Sequence, residues 1–442
     1  MLPKIVDLFS GCGGLALGFE KAGFDIAVGV EIIPEANETA NYNLCIKKGK
    51  KANHLCTDIT ETDPELLKQY IGEEGCIVIG GPPCQAYSLA GKGKLHSLGE
   101  SRINTKDARG YLYQDFIRMA LGLNAKAVVM ENVPEAVSFG ELNVPEEVCR
   151  LLEENGYRCL WTILNSADYG VPQIRNRIIL LAVKKEFEKT IDLPVPTHNQ
   201  DSEAFFMRKY QSYIKYPHFL KPNFNSRGNK WVTVKDAFSD LPILFPKATE
   251  NYKQKDINVS MMYSNRIQNA FQKTMRTWSG TSQNEVTGNT FRNTKRDFPI
   301  FEKMNQGDTY PEAYEIALKL LKEKATLKDI SEKSPEFEEL KKEIVPPYDT
   351  EQFENKWKKL NDDLPSHTVV AHLCKDTYSH IHPWEPRGIT VREAARLQSF
   401  PDDFLFNCGT GDAYKQIGNA VPPLMAFYIA KRLYDYFLGL EG

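Results

Sequence analysis

A cysteine at position 84 has the sequence context of a catalytic nucleophile. It stands in the run GGPPCQ, residues 80–85, directly after the apolar segment 76–79, which we predict to be a strand. Because consecutive prolines fix φ and glycines let the backbone approach a ligand, the thiol of Cys84 is presented with little freedom. Open α/β sheets carry their chemistry at the ends of such strands. We therefore predict that Cys84 is a nucleophile, although most free cysteines are buried and inert.

A glycine-rich turn joins the first predicted strand to the first predicted helix. Residues 9–16 read FSGCGGLA, and their glycines let a ligand pack against the backbone and the helix N-terminus. Glu31 ends the second predicted strand, where a carboxylate can accept both hydroxyls of a ribose, and Asp58 could receive an adenine amine. These residues indicate a nucleotide-like cofactor. Since the glycines and Glu31 also fit the dinucleotide fingerprint, the turn alone does not separate a nicotinamide dehydrogenase from a methyltransferase.

An acid and two guanidinium groups are predicted to lie at the same sheet edge as Cys84. Glu131 directly follows the apolar strand 127–130. Arg175 and Arg177 precede the apolar strand 178–182, and strand alternation directs both side chains to one side. Each residue alone could be a strand-end polar group or part of a surface ion pair. A thiol, an acid and two guanidiniums that converge on one edge instead indicate an active site.

The elements that carry these residues predict a doubly wound α/β domain. Near-continuous apolar runs at 5–9, 26–30, 77–79, 127–130 and 178–182 are typical of strands in a parallel sheet covered on both faces. Helical apolar spacing occupies intervening segments such as 14–22 and 113–123. Because 442 residues exceed the size at which one hydrophobic core stops growing, we expect a second structural unit.

The α/β pattern stops after residue 183, and charge then divides the middle of the chain. Residues 205–296 contain sixteen Lys and Arg against five Asp and Glu, a balance of +11, interleaved with aromatic residues. This composition is typical of a surface that meets nucleic-acid phosphates and bases, although a solvated face can share it. Residues 297–363 have a balance of −6, with eleven Lys and Arg against seventeen Asp and Glu. We predict two or three surface helices over 310–360, as an accessory insertion.

The C-terminal part returns to a regular pattern. Thr390 as N-cap and Glu393 as its capping-box partner predict a helix over 390–397, and a last helix is predicted over 422–438. The nine cysteines form no C-x-x-C pair, and the histidines between 367 and 382 are irregularly spaced, so we expect no metal site. The chain has no charged leader and no apolar stretch that could span a bilayer. We therefore expect a cytoplasmic protein that does not bind membranes.

The chain resembles the C5-cytosine DNA methyltransferases over both of its ends. The matching segments are DLFSGCGG at 7–14, GPPCQ at 81–85, ENV at 131–133, Q-x-R-x-R at 173–177, REAARLQSFP at 392–401 and QIGNAVP at 416–422. The resemblance implies a Rossmann-like methyltransferase domain that uses S-adenosylmethionine, over residues 1–190 and completed by 408–442. It also implies a second, smaller target recognition domain over 191–407, with the helical insertion near 309–363.

The resemblance also implies a role for each candidate residue. Cys84 attacks C6 of a cytosine flipped out of double-stranded DNA, Glu131 contacts the ring at N3 and the amine, and Arg177 holds the base with Arg175 in support. The glycine-rich, basic segment 91–110 is expected to close over the base. The residues expected to hold S-adenosylmethionine are Phe9, Ser10, Gly11, Gly14, Leu15, Glu31, Asp58, Ile59, Pro82, Leu112, Asn419 and Ala420.

Three functions remain open on the sequence. The first is a monomeric DNA cytosine-C5 methyltransferase that protects DNA in a restriction-modification system, with a cognate restriction endonuclease as a possible partner. The second is a tRNA cytosine-C5 methyltransferase of the same family, which the long basic middle segment disfavours. The third is a catalytically silent DNA-binding protein, against which the intact Cys84, Glu131 and Arg177 argue.

Overall fold

A computed structural model of the chain describes residues 2–83, 112–138, 142–225, 227–245, 256–292, 294, 296–350, 356–374 and 378–439. The chain forms two compact units. The first comprises Met1–Trp231 and Ala420–Gly442, and the second comprises Val232–Asn419.

Strands and helices alternate through most of the first unit, whereas in the described part of the second unit the regular elements are mainly helices, with two short strands. The strands of the described ranges are β1 Lys4–Leu8, β2 Ile26–Glu31, β3 His54–Cys56, β4 Cys76–Gly80, β5 Ala127–Asn132, β6 Tyr157–Asn165, β7 Asn176–Lys184, β8 Met261–Met262 and β9 Glu285–Val286. The α-helices of these ranges are α1 Gly14–Ala22, α2 Pro34–Leu44, α3 Pro64–Ile71, α4 Leu112–Gly122, α5 Val144–Glu154, α6 Ser202–Tyr210, α7 Val234–Phe238, α8 Ala270–Arg276, α9 Phe298–Lys303, α10 Tyr310–Leu327, α11 Pro335–Ile344, α12 Val391–Leu397, α13 Thr410–Asn419 and α14 Pro423–Leu438. None of these helices has the length and apolar character that crossing a bilayer needs.

The first unit is built around one sheet with the strand order β3-β2-β1-β4-β5-β7-β6 among the described residues. The first five strands of that order pair in parallel, whereas β7 pairs antiparallel with both β5 and β6. The fold class is the predicted α/β class, with helices in the parallel connections and an antiparallel pair at one edge.

The direction of β7 corrects the expectation that all predicted strands are parallel. A near-continuous apolar run is common to buried parallel and antiparallel strands, so its pattern did not show the direction. The connection shows it: a short turn without a crossover helix joins β6 to β7, and only antiparallel neighbours can be joined in that way. Arg177, near the start of β7, therefore stands at the same sheet edge as Glu131, near the end of β5. β6 and the short β3 were not among the predicted strands.

Both faces of the sheet are covered. Val6 and Val78 belong to a core that includes residues of α3, α4 and α5. The neighbouring Ile79 is fully buried as well, which requires cover on the opposite face. α1 and α14 cross closely, because a Cβ added to Gly18 would lie 2.4 Å from the Cβ of Ala426. The last helix is thus part of the first unit.

Residues 202–231, called the strap below, cover the outer edge of β6. The N–H of Trp161 donates to the carbonyl of His218 over 2.9 Å, and the N–H of Leu220 donates to the carbonyl of Trp161 over 2.9 Å. Three aromatic rings of the strap pack around the fully buried indole of Trp161. Since the strap caps an edge strand, the first unit ends at Trp231 rather than near residue 190, and residues 408–419 lie in the second unit. The roles assigned to the two domains stay predictions.

The second unit has a core of its own. The indole of Trp357 meets the rings of Phe301 and Tyr310 edge to face. Tyr310 begins α10, and α10 and α11 contribute apolar residues to this core. The described part of the predicted insertion therefore contains two helices, and both are only partly exposed. α12 has the predicted capping box, in which Thr390 Oγ1 accepts the N–H of Glu393 over 3.1 Å and the Glu393 carboxylate accepts the N–H of Thr390 over 2.7 Å.

Candidate active site

The loop between β1 and α1 has an unusual backbone. Phe9, Gly11 and Gly13 have φ values of 57°, 54° and 88°. A Cβ on Gly13 would lie 2.8 Å from Cδ1 of Leu44, so both the packing and the left-handed φ require glycine there. A Cβ on Gly11 would meet no described atom within 4 Å. The loop therefore exposes bare backbone to open space at Gly11, as a ligand-binding turn must.

Glu31 stands beside this loop at the end of β2. Its carboxylate accepts the N–H of Gly11 over 2.7 Å and the N–H of Ile33 over 2.8 Å. The side chain is largely buried, and burial raises the pKa of Glu31, an effect that the backbone N–H donors oppose. The carboxylate is thus held in one place at the sheet edge predicted for the ribose.

Buried polar atoms that lack a well-formed hydrogen bond lie under the same loop. Neither carboxylate oxygen of Asp7 nor the hydroxyl of Ser10 has a hydrogen-bond partner of acceptable geometry among the described residues. Burial, and then repulsion from Glu31, raises the pKa of Asp7 well above its usual range. Buried polar groups of native proteins are normally satisfied, so this cluster fits a loop whose polar groups are completed by a bound cofactor.

Asp58 follows β3 in a turn that another helix holds. Its Oδ1 accepts the N–H and the hydroxyl of Thr60 over 2.9 and 2.8 Å. The guanidinium of Arg118, on α4, donates to the carbonyls of Ile59 and Thr62 over 2.7 and 3.0 Å. Arg118 thus positions the turn that presents Asp58. The sequence held no signal for this role, because the two partners are joined only by the fold.

Two exposed isoleucines extend the apolar surface beside Glu31. The exposed fractions of Ile32 and Ile33 are 58% and 50%, although they directly follow a buried strand. Exposed aliphatic side chains next to a carboxylate that can bind ribose provide a surface for a flat base. Neither isoleucine was among the predicted site residues, although the sequence carries the signal: two apolar residues continue beyond the acid that ends β2.

Glu131 and Arg177 form an ion pair at the end of β5 and the start of β7. The Nε of Arg177 lies 2.7 Å from Oε1 of Glu131, and each side chain is 12% exposed. The other carboxylate oxygen lies against the segment that precedes Cys84, since a Cβ on Gly81 would be 2.8 Å from it. The amide of Asn132 also donates to the carbonyl of Pro82 over 3.5 Å. The acid and one arginine therefore meet beside the described part of the Pro-Pro-Cys loop, residues 81–83.

The remaining predicted residues have different surroundings. Arg175 is almost fully buried in the turn before β7, whereas the side chain of Arg177 is 12% exposed. Cys84 and the segment 91–110 lie outside the described residues. Gly14 begins α1, Leu15 and Ile59 are buried, Pro82 is buried next to Gly81, Leu112 begins α4, Asn419 ends α13 in the second unit, and Ala420 is the first residue of the C-terminal part of the first unit. Within the described residues, no three His, Cys, Asp or Glu side chains form a group that could hold a metal ion.

Comparisons with known proteins agree with this geometry. A model of the family described as C-5 cytosine-specific DNA methylase matches residues 3–435. A protein of Oceanobacillus iheyensis, named as a predicted type II methyltransferase, M.OihORF3336P, is 51% identical, with 98% of this chain and 95% of that protein covered. The type II methyltransferase M.AgeI of Thalassovita gelatinovora is 30% identical, with 97% and 99% covered. The crystal structure of a predicted DNA modification methyltransferase from an E. coli prophage superposes with a TM-score of 0.65 at 25% identity, covering 99% of this chain and 100% of that one.

The α/β fold with its mostly parallel central sheet is a methyltransferase fold. The chain belongs to the C-5 cytosine-specific DNA methylase family and is a DNA (cytosine-5) methyltransferase. The tRNA-directed and catalytically silent alternatives are not favoured by these matches.

Proposed function

We propose that the enzyme uses S-adenosylmethionine and binds it along the loop between β1 and α1. The carboxylate of Glu31 would bind the ribose hydroxyls, and Ile32 and Ile33 would pack on the adenine. Asp58 would accept a hydrogen bond from the adenine amine. The bound cofactor supplies an electrophilic methyl group. The positions expected to complete the pocket are Phe9, Ser10, Gly11, Gly14, Leu15, Ile59, Pro82, Leu112, Asn419 and Ala420.

The observation that carries the catalytic assignment is the contact of Glu131 with both Arg177 and Gly81. C6 of cytosine is a poor electrophile, so a thiolate adds to it only if charge is drawn out of the ring at the same time. Glu131, acting at N3 and the amine, would draw that charge while Cys84 adds to C6. Arg177 would hold the base against Glu131, and Arg175 would support the turn from inside. Addition at C6 would make C5 nucleophilic, so that C5 would bond to the methyl group that the bound cofactor supplies. Loss of the C5 proton would then reform the C5–C6 double bond and expel the thiolate of Cys84.

The DNA would be held by exposed cations in the basic part of the chain. On the strap, Arg208, Lys209 and Lys215 are exposed and stand among aromatic rings. A target cytosine must leave the duplex to reach the site, at a cost of a few kcal/mol, which phosphate contacts help to offset. We assign sequence recognition to the segment 191–407, outside the sheet. Affinity for duplex DNA is therefore expected to fall steeply with salt.

The biological role we propose is protection of DNA in a type II restriction-modification system. The full-length similarity to proteins named as type II methyltransferases supports it. Such a system implies a cognate restriction endonuclease of the same specificity as a partner in the cell. We propose that the methyltransferase itself acts as a monomer in the cytoplasm.

Covalent trapping tests the catalytic assignment. A pool of duplexes with 5-fluorocytosine in place of cytosine should form a denaturation-resistant adduct in the presence of S-adenosylmethionine, because fluorine cannot leave C5 as a proton does. The Cys84→Ala variant should form no adduct and still bind DNA. Calorimetric titration with S-adenosylhomocysteine shows separately whether the protein binds cofactor. A folded, cofactor-binding enzyme that forms no adduct would contradict the assignment, and an adduct with tRNA carrying the analogue would redirect it to RNA.

A further inference from the structure

The turn between β6 and β7 carries Arg175, leads directly to Arg177 at the start of β7, and is fixed from inside by its own residues. Oδ1 of Asn165 accepts the N–H of Arg175 over 3.3 Å. The N–H of Ser166 donates to the carbonyl of Arg175 over 2.9 Å, and its hydroxyl donates to the carbonyl of Gln173 over 2.7 Å. These bonds set the shape of the turn. They do not attach it to the rest of the molecule.

Asp168 attaches the turn to both ends of the strap. Its Oδ1 accepts the hydroxyl of Ser202 over 2.5 Å and the indole N–H of Trp231 over 2.8 Å. Its carbonyl accepts the N–H groups of Thr197 and His198 over 2.9 and 3.0 Å. Asp168, Ser202 and Trp231 are each less than 10% exposed, at 8%, 4% and 8%. One buried carboxylate thus joins the turn to the first and last residues of a thirty-residue segment, 202–231.

The strap also comes close to the start of β7, since Tyr210 and Asn176 line the same cavity. Ser202, which donates to Asp168, is the first residue of α6, and the last is Tyr210. The ring of Tyr210 is buried, and burial raises the pKa of its hydroxyl, while the charge of nearby Arg177 acts in the opposite direction. One helix therefore has the anchor of the turn at its start and, at its end, a ring whose pKa responds to the charge of Arg177.

We propose that Asp168 is a positioning residue for methyl transfer: by anchoring the turn to the strap it holds Arg177 where it meets Glu131 and the target base. The inference rests on the proposed roles of Arg177 and Glu131. Charge-assisted hydrogen bonds on one carboxylate oxygen restrict the turn more than neutral ones would. A displacement of about 1 Å at a base-holding side chain can cost on the order of 100-fold in rate, so such an anchor matters even though it touches no substrate.

Stability alone does not explain a carboxylate at this position. Burial raises the pKa of Asp168 to about 6, although the hydrogen bonds from Ser202 and Trp231 lower it. Because the pKa is higher in the folded protein than in the unfolded chain, the contribution of this group to stability is lost as the pH rises through about 6. An asparagine could accept the same two hydrogen bonds without that loss. The charged group therefore costs stability at neutral pH, which fits a residue retained for function.

The test compares four variants of the full-length enzyme on unmethylated plasmid DNA. Asp168→Ala should lower kcat about 10- to 100-fold, with the dissociation constant of S-adenosylhomocysteine changed less than about twofold. Asp168→Asn should recover only part of kcat, since its Oδ1 can accept both donors but its neutral hydrogen bonds restrict the turn less. Tyr169→Phe is the matched control, because it removes a buried hydrogen bond of the same turn, 3.1 Å to the carbonyl of Pro194, without touching the strap. Arg177→Ala provides the reference loss.

The outcomes separate a failure of the role proposed for Arg177 from a failure of the positioning role proposed for Asp168. If Arg177→Ala keeps its kcat, the proposed role of Arg177 fails. If Arg177→Ala loses kcat but Asp168→Ala does not, or if Tyr169→Phe loses as much as Asp168→Ala, the positioning role fails. Should Asp168→Ala not fold, Ser202→Ala and Trp231→Phe each remove one donor and should lower kcat by smaller factors, with unchanged cofactor binding. Wild-type kcat in both would also overturn the inference.

Discussion

Two arginine–carboxylate clusters, one in each unit, are built from the same kinds of side chain but differ in their exposure to solvent. Arg177 and Glu131 are each 12% exposed and share one contact of 2.7 Å. Arg396 is fully buried with Asp240 and Asp402, and its three nitrogens make contacts of 2.6 to 3.2 Å to the two carboxylates. The first cluster is open to a ligand, and the second is closed.

The difference shows what each cluster can do. A further bond from Arg396 to the carbonyl of Ala237, over 2.8 Å, ties α12 to α7, so this arginine is committed to the fold of the second unit. Burial would raise the pKa of Asp402, but the charge of Arg396 outweighs it and lowers that pKa. Arg177 instead keeps Nη2 without a hydrogen bond to the described residues, while Nε and Nη1 bind Glu131 and the carbonyl of Asn176. An arginine with a spare donor at the sheet edge can bind a substrate.

The largest effect is expected from breaking the closed cluster. Arg396→Ala removes the main counter-charge of two buried carboxylates, of which Asp240 keeps only a 3.4 Å contact with Arg276, so it should destabilise the protein by about 3 to 5 kcal/mol. Urea denaturation followed by circular dichroism measures this loss. Arg150→Ala removes an exposed arginine that pairs with Glu147 and Glu154, and it should leave the unfolding midpoint unchanged. Equal midpoints for the two variants would show that the closed cluster does not hold the fold.

Breaking the open cluster should affect the reaction instead of the fold. Arg177→Ala removes a donor aimed at the base, and it should lower kcat by about 100- to 1,000-fold, on the order of 3 to 4 kcal/mol. Its unfolding midpoint should stay near that of the wild type. Arg177→Lys keeps the charge but not the planar donor geometry, so it should recover only part of the rate. If Arg177→Ala unfolded as readily as Arg396→Ala, the open pair would be structural as well.

The residues that the sequence could reveal are those set by local rules. α1 has the predicted bounds, the capping box of α12 is present, and Glu131 and Arg177 meet because both stand at strand ends. The sequence did not predict the direction of β7 or the segment that covers β6. β7 is antiparallel to its neighbours, and the edge of β6 is covered by a segment that follows it after more than thirty residues. Arg118 and Asp168 escaped notice for the same reason, since each acts through partners that only the fold brings near.

Glu31 allows a third comparison, with a buried carboxylate that has no arginine among its hydrogen-bond partners. Backbone N–H groups hold it, and burial raises its pKa, which is consistent with the ribose-binding role that we propose for it. Glu31→Ala should weaken binding of S-adenosylhomocysteine by about 1.5 to 3 kcal/mol, the range of charge-assisted hydrogen bonds. Isothermal titration calorimetry measures this change. Glu61→Ala, an exposed acid in the turn after Asp58, is the control and should bind as the wild type does. Unchanged affinity in Glu31→Ala would move the ribose site elsewhere.

The smallest effect is expected from a partly exposed cluster, formed by His218 of the strap and two glutamates of α5. The ring of His218 lies 2.7 Å from a Glu146 oxygen and 3.2 Å from a Glu153 oxygen, and its side chain is 19% exposed. Burial lowers the pKa of His218, but the two carboxylates outweigh it and raise that pKa above 6.5. The cluster therefore stabilises the protein fully below the unfolded pKa of about 6.5, and the contribution is lost as the pH rises through the folded pKa. Solvent screening should keep it under about 1 kcal/mol. Between about pH 5 and pH 9, the urea midpoint should fall more for the wild type than for His218→Gln. Parallel pH curves for the two proteins would show that this cluster, unlike the closed one, does not stabilise the fold.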